Sequence, residues 1–97
     1  MQKNITLSSH CKIRMQQRGV PEKAIYLIRK YGKSINTHTA KKFFCNKKII
    51  NNLNKKKETR SVIKNLNRHL LSTAIVCQGN ICITVMKINE AKRMRWN

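Results

Sequence analysis

The chain has 97 residues, which favours one domain, and its 22 Lys and Arg residues against 3 acidic residues give a formal net charge of +19. Hydrophobic residues make up 40% of the sequence and recur periodically, which argues against a disordered polybasic chain. The sequence contains no Asp, and its acids are the scattered Glu22, Glu58 and Glu90, which excludes the clustered carboxylates of two-metal phosphoryl chemistry.

A helical hairpin is predicted at the N-terminal end. The pair Ser8-Ser9 supplies typical N-cap residues for a helix over about residues 10–17. Gly19 provides the left-handed conformation that commonly closes a helix. A second helix is predicted over about residues 21–31, with Pro21 at its first helical position.

The middle of the chain mixes strand and helix signals. Residues favouring β structure over 33–46 predict one or two strands. Asn46 is then expected to cap a helix over about residues 47–53. The lysine-rich stretch 54–60 is predicted to be a loop or a frayed helix end, and a further helical piece is predicted over about residues 58–67.

The C-terminal part predicts a β-hairpin. Two runs rich in β-branched residues, 70–77 and 81–88, flank the dipeptide Gly79-Asn80. Glycine at the first turn position favours a type II′ turn, and a type I′ turn is the alternative. The predicted register pairs Gln78 with Ile81, Cys77 with Cys82, Val76 with Ile83, and Ile75 with Thr84.

Alternation along the two strands gives this hairpin two faces. One face is wholly apolar and is expected to meet the helices. It carries Ala74, Val76, Ile83 and Val85. The other face is semi-polar and is a candidate floor for a groove. It carries Thr73, Ile75, Cys77, Cys82, Thr84 and Met86.

Together these elements predict an α+β fold, in which an N-terminal helical hairpin packs on a small antiparallel sheet that ends in the C-terminal hairpin. We expect a single domain over residues 1–97, with an ordered core over about 5–88 and a basic tail over 89–97. No apolar stretch approaches the ~20 residues that span a bilayer, and no signal-peptide core precedes the first elements. A cytoplasmic location without membrane contact is therefore expected.

Cysteines in that compartment are expected to be reduced thiols, and the chain has four of them, Cys11, Cys45, Cys77 and Cys82. They contain no CxxC pair, so the spacing is not that of a zinc site. Such cysteines usually serve as small buried hydrophobic side chains, with a zinc or redox role as the alternative. We therefore predict neither a metal nor a cofactor.

A candidate catalytic triplet lies on the first helix. His10, Arg14 and Arg18 are spaced i, i+4 and i+8, which places them within an arc of about 80°. Imidazole is a general acid or base near neutral pH, and guanidinium clamps phosphate groups. The triplet therefore predicts metal-independent RNA cleavage in which the 2′-OH is the nucleophile. The alternative is a solvated helix face, because paired arginines arise easily in so basic a chain.

Other positions carry weaker signals. The hydroxyl of Thr84 is a candidate phosphate ligand in mid-strand, although Thr is also simply favourable in strands. His38 and His69 are more typical of surface or structural imidazoles than of catalytic ones. Nucleic-acid contacts are predicted collectively for Lys47, Lys48, Lys55, Lys56, Lys57, Arg93, Arg95 and Trp96, with a solvated face as the alternative for the lysines.

The segment His10-x-x-x-Arg14-Met15-x-x-Arg18-Gly19-Val20 resembles the opening of a small bacterial and phage family, the domain of unknown function 4258. That family similarly has a Ser-His helix, an Arg-Met pair and an Arg-Gly corner. The segment Ile81-Cys82-Ile83-Thr84-Val85 resembles its apolar-Thr-apolar last strand, so the resemblance covers about residues 5–88. Pro21, where the family usually has a polar cap, and the charge of +19 depart from its pattern.

The family is identified as a member of the barnase/colicin/RelE-like group of metal-independent ribonucleases, many of which are toxins. The resemblance implies N-terminal helices against a small antiparallel sheet. It also implies site roles for His10, Arg14, Arg18 and Thr84. Relatives of such folds also include inert binders, so the resemblance alone does not establish an activity.

The leading hypothesis is a small basic RNA-directed protein, a metal-independent ribonuclease-like toxin or phage effector, with RNA favoured over DNA as the partner. A non-catalytic nucleic-acid-binding protein explains the charge equally well. A third hypothesis is an inhibitor that docks on an acidic host nucleoprotein machine. An acidic protein partner or antitoxin would also suit the charge.

Overall fold

Five helices and five strands occupy residues 5–88, the part of the chain that the computed structural model describes. In chain order they are β1 (Thr6–Leu7), α1 (Ser9–Arg18), α2 (Glu22–Tyr31), β2 (Lys33–Asn36), β3 (Lys41–Phe44), α3 (Lys47–Lys55), α4 (Lys57–Ile63), α5 (Asn67–Ser72), β4 (Thr73–Gln78) and β5 (Ile81–Lys87). The α+β class predicted from the sequence is confirmed. No helix within this range is long and apolar enough to cross a bilayer.

The five strands form one mixed sheet in the order β1-β5-β4-β3-β2. Strands β2 to β5 pair antiparallel, as predicted, whereas β1 adds to the edge of β5 in parallel. The backbone N–H of Thr6 donates to the carbonyl of Asn80 at 2.7 Å, and that of Ser8 donates to the carbonyl of Cys82 at 3.0 Å. The parallel edge strand was not predicted, because two residues are too few to show a periodic pattern.

Local capping fixes the helix boundaries close to where the sequence predicts them. The Ser8 side chain accepts a hydrogen bond from the backbone N–H of Cys11 at 3.0 Å and so begins α1. Gly19 ends α1 with φ 64°, the left-handed conformation expected there. Asn46 caps α3 through its side chain. Pro21 is the N-cap of α2 and not its first helical residue, a shift of one position.

The segment between α3 and β4 is more helical than predicted. Helix α3 continues to Lys55 and α4 begins at Lys57, so most of the stretch 54–60, predicted to be a loop or a frayed helix end, is helical. Helix α5 then occupies the first part of the run predicted to be a strand from residue 70. Leu70 is fully buried in the core from this helix. A short apolar run does not by itself distinguish a buried strand from a buried helix.

The hairpin of β4 and β5 contains a bulge. Gly79 has φ 57° and Asn80 is outside the left-handed region, so type II′ is the turn that agrees with the backbone. The pair of Cys77 with Cys82 is confirmed, as is that of Gln78 with Ile81. Further from the turn than Cys77 and Cys82 the predicted pairs are wrong, because Val76 pairs with Thr84 and Ile75 pairs with Val85. Ile83 is the extra residue in β5.

Along β4, which has no extra residue, the face that meets the helices is the opposite of the predicted one, and the bulge changes faces only beyond Cys82 in β5. The face that meets the helices carries Ile75, Cys77, Cys82 and Val85. The opposite face carries Ala74, Val76, Thr84 and Met86. The predicted groove floor is therefore wrong for Ile75, Cys77 and Cys82, which are buried in the core.

All five described helices contribute to one apolar layer on that face of the sheet. Its buried residues include Cys11 of α1, Ile25 and Ile28 of α2, Ile50 and Leu53 of α3, Ile63 of α4, and Leu70 of α5. A smaller cluster on the opposite face contains Phe44, Ala74 and Ile88, with Ile35 and Met86 beside them. The helices therefore place their polar sides on one surface of the protein.

We expect the substitution Gly32→Ala to lower the free energy of unfolding by about 3 kcal/mol, because overpacking against rigid backbone is costly. An added Cβ would clash with the carbonyl oxygen of Ile28 and lie 2.8 Å from that of Phe44. Urea unfolding followed by circular dichroism measures the change.

Gly19→Ala is the matched control for this substitution. Its Cβ would meet nothing within 4 Å, so only the φ of +64° is unfavourable, at about 1–2 kcal/mol. A Gly32→Ala protein that is as stable as Gly19→Ala would contradict the close approach of α2 to β3.

Candidate functional site

Helix α1 is attached to β5 by its apolar side, which leaves its basic side in solvent. The Sγ atoms of Cys11 and Cys82 are 3.3 Å apart in the core. The Ser8 hydroxyl donates to the carbonyl of Ile83 at 3.0 Å, which holds the start of the helix on the bulge. Residues His10 and Arg18 are exposed, and Arg14 is half-buried.

The structure brings together two members of the predicted triplet. The Nε of Arg14 donates to the Nε2 of His10 at 3.5 Å, a contact at the long end of the hydrogen-bond range. This distance keeps the guanidinium beside the imidazole without fixing the ring rigidly. An imidazole and a guanidinium side by side can move a proton and hold a phosphate oxygen at one place. Arg18 continues the same helix face one turn further on.

Thr84 lies on the other side of the sheet from this triplet. It pairs with Val76, whereas its neighbour Val85 faces the helices, so alternation directs Thr84 away from them. Its hydroxyl donates to the carbonyl of Val85 at 3.5 Å. The structure therefore does not bring Thr84 to His10, Arg14 and Arg18, and its site role stays a prediction.

The predicted lysine cluster is exposed on α3 and α4. Lys47 and Lys48 lie in the first turn of α3, where a positive charge opposes the helix dipole. Lys55, Lys56 and Lys57 follow at the junction with α4 and are also exposed. Helix stability does not explain cations at the start of α3. The predicted contacts of Arg93, Arg95 and Trp96 lie outside the described residues.

A groove that the sequence analysis did not predict lies at one end of the sheet. It has a volume of about 570 Å³ and opens between the β2–β3 turn and the β4–β5 turn. Side chains and backbone from both turns line it, together with Arg29 of α2. The hydrogen bond from the side chain of Gln78 to the carbonyl of Thr39, 3.2 Å long, joins the two turns.

Arg29 forms the wall of this groove. Its guanidinium carbon is 4.7 Å from the centroid of the Phe43 ring, a cation–π contact. One terminal nitrogen donates to the carbonyl of Gly79 at 3.5 Å. The Nε atom is buried and has no hydrogen-bond partner within residues 5–88, so a ligand in the groove would meet the other parts of Arg29 that line it.

Cys77 lines the groove and pairs with Cys82 behind it, whereas Cys45 lies at the other end of β3. The thiol of Cys82 donates toward Cys77, and this bond, with help from the Arg29 cation, lowers the pKa of Cys77 although burial opposes it. The same bond and burial raise the pKa of Cys82. Burial alone raises the pKa of Cys45 to about 12. Within residues 5–88 no group of His, Cys or Glu side chains is arranged to hold a metal ion.

The groove was missed because its parts are distant in the sequence. Arg29 belongs to no motif, and its partner Phe43 is a buried residue of β3. His38 was predicted to be a surface residue, and it lines the groove with an exposed side chain. Only the order of the strands brings the 37–40 turn beside Gly79.

We expect Cys77 to be the first of the four thiols to react with iodoacetamide in the native protein at pH 7.5. Its pKa is lowered and it lines the groove, whereas the pKa of Cys45 is about 12. The reaction should be slow, because Cys77 is only 2% exposed. Peptide mass spectrometry identifies the modified residue, and Cys77→Ser should remove the early adduct. Earlier modification of Cys45 would contradict this assignment.

His69 is a half-buried imidazole on α5, and its buried Nδ1 atom has no hydrogen-bond partner among the described residues. Burial, followed by the charges of Lys87 and Arg68, lowers its pKa below the ordinary value of 6.5. The unfolded chain therefore binds more protons than the folded protein at pH values just below 6.5. Folding stability should fall as the pH drops through this range and level off below the lowered pKa.

We expect His69→Gln to flatten this dependence of stability on pH between pH 7.5 and 5.5. Denaturant midpoints at the two pH values measure it. The control His38→Gln alters an exposed imidazole and should keep the slope of the unmodified protein. An unchanged slope in His69→Gln would show that other groups cause the dependence.

Neither a family model, nor a curated protein, nor a solved structure matches this chain. The resemblance of its first helix and last strand to the domain of unknown function 4258 therefore stays a prediction.

Proposed function

We propose that this protein acts on RNA in the cytoplasm and cleaves it without a metal ion, with His10 as the acid–base residue. The observation that carries this proposal is the contact between the Nε of Arg14 and the Nε2 of His10 on the open side of α1. An exposed imidazole beside a guanidinium is accessible to a phosphodiester, whereas His69 is half-buried.

The net charge supports a polyanionic partner. Three carboxylates leave the chain with a formal charge of +19, and the lysines of α3 and α4 are exposed. Cations of this density release counterions from a nucleic acid, so binding should weaken steeply as salt is added. The 2′-OH that the proposed chemistry uses is present in RNA and absent from DNA.

In the proposed reaction His10 accepts the proton of the ribose 2′-OH. The 2′-oxygen attacks the adjacent phosphorus, and the bond from phosphorus to the 5′-oxygen breaks. Arg14 and Arg18 hold the non-bridging oxygens as negative charge develops on them. The 5′-oxygen leaves with a proton from the imidazolium or from water, and the other product ends in a 2′,3′-cyclic phosphate. Thr84 faces away from α1, so this proposal assigns it no part in the reaction.

A non-catalytic RNA-binding protein is the second candidate. The observation that favours it is the separation of Thr84 from the triplet, which leaves His10, Arg14 and Arg18 on one helix without a group from the opposite strand. In that case the exposed lysines act collectively and the imidazole has no special role. A toxin or phage effector of either kind could act through an acidic protein partner or antitoxin.

We expect the protein to cleave RNA in EDTA and His10→Ala to lose at least a hundredfold in rate, the usual range for a general base. Binding of the same RNA should change less than about twofold, since one exposed imidazole adds little to so large a charge. Gel analysis of cleavage and of 2′,3′-cyclic ends, beside fluorescence anisotropy for binding, measures both. The control Lys12→Ala changes an exposed cation on the same helix and should cleave normally.

Two results would overturn the catalytic proposal. Full activity in His10→Ala would remove the imidazole from the reaction, and tight RNA binding without cleavage would favour the non-catalytic binder. A protein partner that survives nuclease treatment, with no affinity for RNA, would favour the third hypothesis, an inhibitor of an acidic host protein.

A further inference from the structure

We infer that the groove between the β2–β3 and β4–β5 turns binds the phosphate group of a nucleotide, with Arg29 as the residue that holds it. This site is separate from α1, and nothing in the proposed cleavage uses it. The nucleotide is either free in solution or a unit of an RNA strand, and only the second case rests on the proposed function.

Arg29 is the strongest evidence for an anionic ligand. Its guanidinium lies over the Phe43 ring, which orients the group before a ligand arrives, and the 3.5 Å contact with the carbonyl of Gly79 adds a weak restraint. A guanidinium offers several N–H donors in a planar fork that matches two oxygens of one phosphate.

Arg29 is not the only positive charge at the groove. Lys41 and His38 line it from the β2–β3 side, and within residues 5–88 no lining residue carries a carboxylate. The Lys41 ammonium at the rim adds to the attraction for a phosphate, and the imidazole of His38 adds a hydrogen-bonding group. Such a set of donors would bind a neutral or cationic ligand poorly.

The turns that form the groove are held by their own hydrogen bonds. The Thr37 hydroxyl donates to the carbonyl of Ala40 at 2.9 Å and accepts from its N–H at 3.2 Å. The side chain of Gln78 holds this turn against the hairpin. A ligand therefore meets a preformed site and does not have to order two loops.

The size of the groove selects a nucleotide over phosphate alone. A volume of about 570 Å³ falls within the range of about 300–1,000 Å³ that is usual for small-molecule sites. A phosphate ion would fill a small part of it, and an attached nucleoside would occupy the remainder between the two turns. Affinity should therefore rise from inorganic phosphate to a nucleoside monophosphate.

The test compares Arg29→Gln with the control Lys23→Gln, which removes the same charge from an exposed position of α2 outside the groove. The probes are inorganic phosphate, adenosine 5′-monophosphate and a fluorescent six-nucleotide oligouridylate, at fixed ionic strength. Arg29→Gln should weaken binding of the monophosphate at least tenfold, and Lys23→Gln by less than about twofold. Calorimetry and anisotropy give the affinities, and thermal melting shows that both variants fold.

A second measurement uses the unmodified protein and does not depend on the folding of a variant. Cys77 lines the groove, so adenosine 5′-monophosphate should slow its alkylation by iodoacetamide at least threefold. Adenosine, which lacks the phosphate, should protect Cys77 much less. Equal protection by both would contradict a site for phosphate.

The outcomes separate this inference from the proposed function. Loss of nucleotide binding in Arg29→Gln, with RNA left intact by the unmodified protein, would support the groove and overturn the ribonuclease. If RNA cleavage depends on His10, Arg29→Gln binds every probe as tightly as the unmodified protein, and no probe protects Cys77, the ribonuclease is supported and the groove site is overturned. If Arg29→Gln weakens binding of the oligouridylate alone, the ligand is an RNA strand. If it weakens binding of the monophosphate alone, the ligand is a free nucleotide.

Discussion

The pairing of β4 with β5 is the contact on which the rest of the structure depends. Strand β5 has β1 and α1 attached to it, and β4 carries β3 on its other side. The extra residue Ile83 sets which side chains of this pair face the helices. Cys82 and Val85 meet the core for this reason, and α1 packs against Cys82 through Cys11. The direction of the basic side of α1 therefore depends on one bulge.

Both basic sites derive from that arrangement in different ways. At α1, docking on β5 by the apolar side leaves His10 and Arg14 in contact with solvent and with each other. At the groove, the tip of the same hairpin supplies Gly79, and the neighbouring β2–β3 turn supplies the opposite wall. Arg29 connects the helical layer to this end of the sheet. Basic side chains thus lie on a convex surface at α1 and in a concave groove at the end of the sheet.

Features set by neighbouring residues were predictable, and features set by distant contacts were not. Ser8, Gly19 and Asn46 act within one helical turn, so the sequence indicates each of them. The contact of His10 with Arg14 follows from helical spacing alone. The bulge at Ile83 and the Arg29 groove depend on packing between segments far apart in the chain. Alternation alone did not show which face of β4 meets the helices, so that face was predicted wrongly for Ile75 and Cys77. Thr84 lies on its predicted face, away from the helices, and its grouping with α1 came from the family resemblance.

The two edges of the sheet also determine how the protein behaves at high concentration. An open edge strand offers unpaired N–H and carbonyl groups to another molecule and can begin aggregation. One edge here is β1, which is only two residues long, and the other is β2, which is four residues long and exposes Lys33, Ser34 and Asn36. Within residues 5–88 neither edge offers a long apolar strand with which a second copy could pair. Repulsion between molecules of charge +19 also opposes such pairing.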